Sequence, residues 1–195
     1  MIRRLAQLAA LTVTAILLIA MQQTTPSYDT LTGPIPISGV SGETVVARSF
    51  TVRVDRVEFA RQLRFGNPGF EQTRDTGGVW AVVTATLAAR DATVAVAGGE
   101  WEGPTGTRYS PSGRLSGSLP LVSLQTLQPG LPVRGWFIFE MPADQMQGAT
   151  LRVSQARFPR FVSLVRISLD RTDGRPLLIR DTLDLTKPPL SLGGS

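Results

Sequence analysis

From residue 44 onward, apolar side chains recur at every second position, in runs cut by Gly and Pro. That period belongs to strands with one buried face, and it cannot be satisfied by a helix. No segment after Met21 keeps a helical period with caps. Strands are expected over residues 45–59, 79–89 and 92–101, in a short piece at Arg108 and Tyr109, then over 131–141, 149–156, 161–170 and 176–185. In the first of these, Phe50, Val52 and Val54 share one face and Thr51, Arg53 and Asp55 the other. Val57 and Phe59 then fall on the wrong parity, which predicts a bulge or a change of sheet after Asp55. Residues 79–89 (VWAVVTATLAA) are apolar on both faces, as a central strand is. Along 131–141, Val133, Gly135, Phe137 and Phe139 alternate with Arg134, Trp136, Ile138 and Glu140. Short strands with one polar face imply two packed sheets. The expectation is therefore all-β: an antiparallel β-sandwich over residues 44–186 with a flexible tail over 187–195.

The N-terminus differs in kind. Arg3 and Arg4 precede an apolar run that begins at Leu5 and ends at Met21, interrupted by Gln7, Thr12 and Thr14. A bilayer core needs about 20 apolar residues, with a lower limit near ~17. The next basic residue is Arg48, so the positive-inside rule puts the N-terminus in the cytoplasm. Residues 1–21 thus read as a signal anchor, one N-terminal transmembrane helix, or as a cleaved signal peptide. Ala20 is the one small residue near the run's end, a poor match to a cleavage site, and no cysteine follows for a lipid anchor. Residues 22–43, with Pro26, Pro34 and Pro36, read as a Pro/Ser/Thr/Gly linker. The expected location is the bacterial inner membrane, single-pass, with the domain in the periplasm or extracellular space, or secreted if the leader is cleaved.

Composition narrows the chemistry. The 195 residues include no cysteine and no histidine, which removes disulfides, thiolate metal sites and the commonest general base. The formal charge is +5, and about +3 without Arg3 and Arg4, too small and too scattered for a nucleic-acid binder. Glu100 and Glu102 flank Trp101 and share a strand face, where they could act as a sugar-cleaving pair. The simpler reading is a solvated face. Asp170, Asp173, Asp181 and Asp184 lie near one another, but without a calcium loop, and Asp173-Gly174 reads as a hairpin turn. The single lysine, Lys187, sits in a Pro-rich tail, a poor place for a Ser–Lys pair. The Gly-rich pieces Gly98-Gly99 and Gly103-Pro104-Thr105-Gly106 match no phosphate loop. No catalytic residue, metal or cofactor is expected.

The stretch LQPGLPVRGWFIFEMP over residues 127–142 resembles a segment of telokin-like bacterial extracytoplasmic domains of unknown function. Gly78 and the strand that follows it, GVWAVVTATL, are similar to another strand of that family. The resemblance implies an immunoglobulin-like sandwich, related in fold to a mycobacterial immunoprotective secreted antigen, behind a signal and a polar linker. It brings no catalytic residues. The residues Ala88-Ala89-Arg90-Asp91 stand where the family often has an Asn-rich turn. Independently of any family, Pro129-Gly130 suits a type II turn, and Pro142 ends a strand because it cannot donate to the ladder.

Two segments stand out as contact surfaces. Residues 61–74 read as a long loop carrying Arg61, Arg64, Phe65, Phe70 and Arg74. A second cluster holds Arg152, Arg157, Phe158, Pro159, Arg160 and Phe161. Exposed aromatic and arginine side chains are typical interface anchors. The expected function is a membrane-anchored, non-catalytic extracytoplasmic binding module whose partner is another envelope protein or an anionic surface. Two alternatives are an accessory subunit of an envelope membrane complex, with residues 5–21 packed on other membrane helices, and a carboxylate-based glycoside hydrolase.

Overall fold

The structure, a computed structural model, describes residues 2–24, 35–96, 98–115, 119, 121–122, 125–155, 163–170 and 177–187. The chain divides into two compact units, Met1–Gly33 and Pro34–Ser195. The first contains helix α1, Ile2–Thr24. Its sequence is rich in Leu and Ala and free of Gly and Pro, so propensity alone favours the helix. Its described apolar side chains are exposed, Leu11 at 67% and Met21 at 70% among them. Among the described residues no helix is long and apolar enough to cross a membrane. The side chains of Leu5, Ala6, Leu8, Ala9 and Ala10, which belong to the apolar run, are outside the described set.

The second unit is a β-sandwich of twelve described strands: β1 Ile35–Val40, β2 Thr44–Val46, β3 Phe50–Phe65, β4 Gln72–Ala89, β5 Val94–Ala95, β6 Gly98–Glu102, β7 Arg108–Tyr109, β8 Thr126–Leu127, β9 Val133–Met141, β10 Thr150–Ser154, β11 Ser163–Ser168 and β12 Ile179–Asp184. One sheet runs β1-β11-β10-β6-β7; the other runs β12-β3-β4-β9, with β2 also on β3; β5 and β8 make a small ribbon.

Three expectations need correction. The sheets are not wholly antiparallel, because β1 lies parallel to β11 and β12 parallel to β3. Part of the expected linker is strand β1. Pro36 is tolerated there because β1 is an edge, where a missing N–H disrupts little. Residues 92–101 are not one strand: β5 belongs to the ribbon and β6 to the first sheet. Asp173 and Gly174, expected as a hairpin turn, lie outside the described residues; the strands on either side, β11 and β12, belong to different sheets. Most of the expected tail, 188–195, also lies outside the described residues.

The slip after Asp55 is a bulge: pairing of β3 with β4 shifts between Val54 and Arg56, and again between Ala60 and Gln62. Each shift moves the following side chains to the opposite face. Phe50, Val52 and Val54 point between the sheets; the first bulge keeps Val57 and Phe59 there too. They meet Val83, Leu87, Phe137 and Phe139 from their own sheet and Trp101, Leu151, Val165 and Ile167 from the other. Trp101 is fully buried, edge-on to Phe59 at 5.9 Å between ring centres, and its Nε1 donates to the Gln145 carbonyl at 2.9 Å. A Cβ on Gly99 would stand 2.6 Å from the Phe137 ring, so glycine at that position lets the sheets close.

After the second bulge, Leu63 and Phe65 join a separate core on the outer face of the β3-β4-β9 sheet, with Trp80, Val82, Trp136, Ile138 and Leu183. It is roofed by Leu115, in the short 3-10 turn Gly113–Leu115, and by Leu121. The roof is fastened by Ser112 N–H to the Ile138 carbonyl at 2.8 Å, by Arg114 to Glu140 at 2.8 Å, and by the Arg114 guanidinium 5.5 Å above the Trp80 ring. The two-sided apolarity of β4, central between β3 and β9, thus has a specific origin: one face meets the opposite sheet and the other meets a folded connection.

The roof's role can be tested. Leu115→Ala should destabilise the sandwich by about 2–5 kcal/mol, the range for a fully buried leucine. Urea unfolding should show a lower midpoint with an unchanged slope; an unaltered midpoint would mean that the connection contributes no packing.

Candidate binding surface

Residues 61–74 are not a loop. They are the far end of the β3–β4 hairpin, and the reversal occupies only residues 66–71. Period-two alternation hid the strands because a bulge interrupts it at Arg61. The ladder carries Gln62 opposite Asp75, Leu63 opposite Arg74 and Phe65 opposite Gln72. It is braced by polar side chains: Gln62 donates to Asp75 at 2.6 Å and accepts from the Thr182 hydroxyl at 2.9 Å, and Trp80 Nε1 donates to the Arg74 carbonyl at 3.1 Å.

The five hairpin residues expected to make contacts separate. Phe65 is buried in the roofed core and is removed from the contact set. The second bulge turns it onto the outer face of the sheet, a placement that a loop reading does not contain. Arg64 is engaged with Glu71, Nε to carboxylate at 3.0 Å, and this hydrogen-bonded pairing raises its pKa. Arg74 reaches Gln72 Oε1 at 3.4 Å and is otherwise exposed. Arg61 is exposed, with no side-chain hydrogen bond or ion pair among the described residues. Phe70 is 82% exposed. The reversal that carries it is closed by Phe70 N–H to the Asn67 carbonyl at 2.9 Å. Gly66 (φ 114°) and Gly69 (φ 86°) sit in the left-handed region, and a Cβ on Gly66 would stand 2.6 Å from the Phe70 carbonyl oxygen. Phe70, Arg61 and Arg74 therefore share one end of the hairpin, with an aromatic ring held in solvent. Arg157 and Arg160 lie outside the described residues.

The carboxylates expected to share a face do so. Trp101 points inward, so Glu100 and Glu102 point out from the sheet. Glu102 accepts from Arg166 at 2.6 Å and Arg152 at 3.2 Å and pairs with Arg108 at 3.4 Å; Glu100 pairs with Arg152 at 3.4 Å. The Arg152 side chain is only 8% exposed, and its Nε is buried without a hydrogen-bond partner. Burial, reinforced by Arg108, pushes its pKa down against the pull of the two glutamates. A second hub forms at the first bulge, where Asp55 accepts from Arg53 at 2.8 Å, Arg134 at 3.0 Å and Thr86 at 2.8 Å. Sequence reading missed both hubs, because they join residues up to 79 positions apart whose adjacency depends on register.

Of the four aspartates considered for calcium, Asp173 lies outside the described residues, and Asp170 and Asp184 bond neighbouring backbone. Asp170 accepts from Gly148 N–H at 2.8 Å, and Asp184 from the backbone and hydroxyl of Thr186 at 2.9 and 2.7 Å, which lowers the Asp184 pKa. Among the described residues no three His, Cys, Asp or Glu side chains gather as a metal site would require.

No protein-family profile and no curated protein matches this chain. Solved structures do. The YjhA protein from Bacillus subtilis aligns with 68% of this chain and 99% of its own, at 17% identity and a TM-score of 0.51. An uncharacterised β-sandwich protein from Clostridium difficile 630 aligns with 75% of this chain and 100% of its own, at 12% identity and a TM-score of 0.47. The likeness to YjhA extends to the fold alone.

Two substitutions on one hairpin should behave oppositely. Phe65→Ala should cost about 3–5 kcal/mol of stability, and Phe70→Ala should stay within about 0.5 kcal/mol, as buried and exposed aromatics do. Equal losses in chemical denaturation would contradict the assignment of faces. In the charged hub, Arg152→Ala should cost about 1–3 kcal/mol, because Glu100 loses its partner while Glu102 keeps Arg166 and Arg108. A stability within error of the parent would show that the hub is solvated.

Proposed function

We propose that this chain is a membrane-tethered, non-catalytic binding module, and that its sandwich works outside the cytoplasm with the end of the β3–β4 hairpin as its contact surface. The observation that carries the reading is Phe70, 82% exposed at the end of a braced hairpin. An exposed aromatic on a segment that also carries exposed arginines has the composition of interface anchors. Arg61 and Arg74 supply positive charge there, so the partner is an acidic patch on an envelope protein or an anionic surface. The tether rests on Arg3 and Arg4 before the 17-residue apolar run 5–21, which lies within helix α1 and is near the lower limit of about 17 residues for a span. The assignment to telokin-like, immunoglobulin-like extracytoplasmic domains belongs to this reading as well, resting on residues 127–142 and the Gly78 strand.

The test uses the full chain in its native membranes. It should stay with the membrane after an alkaline carbonate wash; release by the wash would remove the tether. Cross-linking followed by purification should recover a partner with the parent protein. The triple variant Phe70→Ser, Arg61→Ser, Arg74→Ser should lose it while unfolding at the same urea midpoint. Recovery should also fall as salt rises from about 0.1 to 1 M, because the screening length shrinks from about 10 to 3 Å. A variant that retains the same partners would refute the hairpin as contact surface.

A further inference from the structure

The opposite end of the sandwich carries a cavity. The pairing of Phe50 with Ala89 places the β2–β3 turn beside the segment after β4, far along the ladder from the Phe65–Gln72 end. There a cavity of about 380 Å³ opens between those two segments, the start of β1 and the adjoining ends of β10 and β11. Its volume falls in the range of small-molecule sites, about 300–1,000 Å³. The wall is tied together across the sheets. Arg90 N–H donates to the Ser49 carbonyl at 3.0 Å, and its guanidinium reaches the Ala47 and Arg48 carbonyls at 3.3 and 3.4 Å. Arg48 N–H donates to the Ser163 hydroxyl at 3.4 Å.

The lining chemistry is specific. Arg48 and Asp91 both line the cavity as exposed side chains, and among the described residues no hydrogen bond or ion pair joins either to a partner, so each can receive a ligand group. Ser49, Ser163 and Gln155 add polar groups, and Ile35, 62% exposed, adds an apolar lip. A guanidinium selects a carboxylate or phosphate, and a carboxylate selects a cation that can donate hydrogen bonds. A lone anion entering would be repelled by Asp91, and a lone cation by Arg48. We propose that this cavity binds a small zwitterion in which an anionic group and a primary ammonium are joined by a short chain, with Arg48 holding the anion and Asp91 the ammonium. The shared chemistry has two sources, free amino acids and ethanolamine-phosphate headgroups. The inference does not depend on the hairpin or on the tether, because it rests on other residues at the other end of the sandwich.

Calorimetric titration of the full chain in a neutral maltoside detergent separates the outcomes. β-Alanine and glycerophosphoethanolamine are the free probes; nanodiscs of phosphatidylethanolamine or phosphatidylcholine are the headgroup probes. Saturable binding of at least one zwitterion with a primary ammonium is expected, weakened about tenfold by Asp91→Asn and by Arg48→Ser, the effect of losing one charge-assisted contact. Circular dichroism and urea midpoints matching the parent would show that both variants are folded; if Arg48→Ser is not, Asp91→Asn alone carries the test. Binding of β-alanine identifies the amino-acid source. Binding of glycerophosphoethanolamine, with phosphatidylethanolamine discs retained over phosphatidylcholine discs, identifies the headgroup. No saturable binding of any of these up to about 50 mM would overturn the proposal, that concentration being far above a millimolar Kd. So would acetate binding as tightly as β-alanine, or binding that both variants leave unchanged.

Discussion

A strand has two faces and no third, and β3 must serve two cores on opposite sides of its sheet. Two one-residue slips in its pairing with β4 let it do both. Between Phe50 and Phe59 its large side chains stay between the sheets across the first bulge. Beyond the second, Leu63 and Phe65 fall on the outer face, under the segment that carries Leu115 and Leu121. Without the second slip Gln62 and Arg64 would point into the roofed core, where their polar groups would need partners that the apolar surroundings do not supply. The same slip releases them to the other face, where Gln62 bonds Asp75 and Thr182, and Arg64 engages Glu71.

That arrangement turns the hairpin end from an appendage into part of the body. β12 runs beside β3 as far as Arg64, with Leu183 in the roofed core, so the ladder has a third strand almost to its end. Only the reversal at 66–71 projects, and its shape is held by glycines at positive φ and a backbone bond. A ring carried this way loses little conformational entropy when covered, which is what a contact residue requires.

Much of the sandwich is legible in the sequence, and the failures share one cause. Alternation located β9 and the part of β4 from Val79 to Ala89, though not the start of β4 at Gln72, and the broken parity at Asp55 announced the first bulge. Pro129-Gly130 announced a turn, and Gly130 has φ 77° with Leu131 N–H bonded to the Gln128 carbonyl at 3.2 Å. The second bulge was not legible, because Arg61, Gln62 and Arg64 gave residues 61–65 the composition of a loop. β1 was hidden by its prolines, since an edge strand parallel to a distant partner has no local signal. The charged hubs had no sequence signal either: Glu102, Arg108, Arg152 and Arg166 are neighbours only once β6, β7, β10 and β11 are aligned. Alternation reports which face a residue occupies within one strand; it says nothing of what crosses from another.

The distribution of arginines then distinguishes scaffold from surface. In the described sandwich, Arg53 and Arg134 are bound to Asp55, Arg56 and Arg180 to Glu58, Arg64 to Glu71, Arg114 to Glu140, and Arg108, Arg152 and Arg166 to Glu102. Arg74 leans on Gln72 and Arg90 on two backbone carbonyls. Among the described residues, the side chains of Arg48 and Arg61 alone in the sandwich lack such a partner. Arg48 precedes β3 and lines a cavity with Asp91, whereas Arg61 lies at the second bulge, toward the reversal that carries Phe70. In a protein that uses its arginines so consistently as struts, an uncommitted guanidinium contributes little to the fold where it stands. Its charge remains available to something outside the chain, and the two proposals draw on it differently: a discrete zwitterion is proposed at one end and an extended acidic surface at the other.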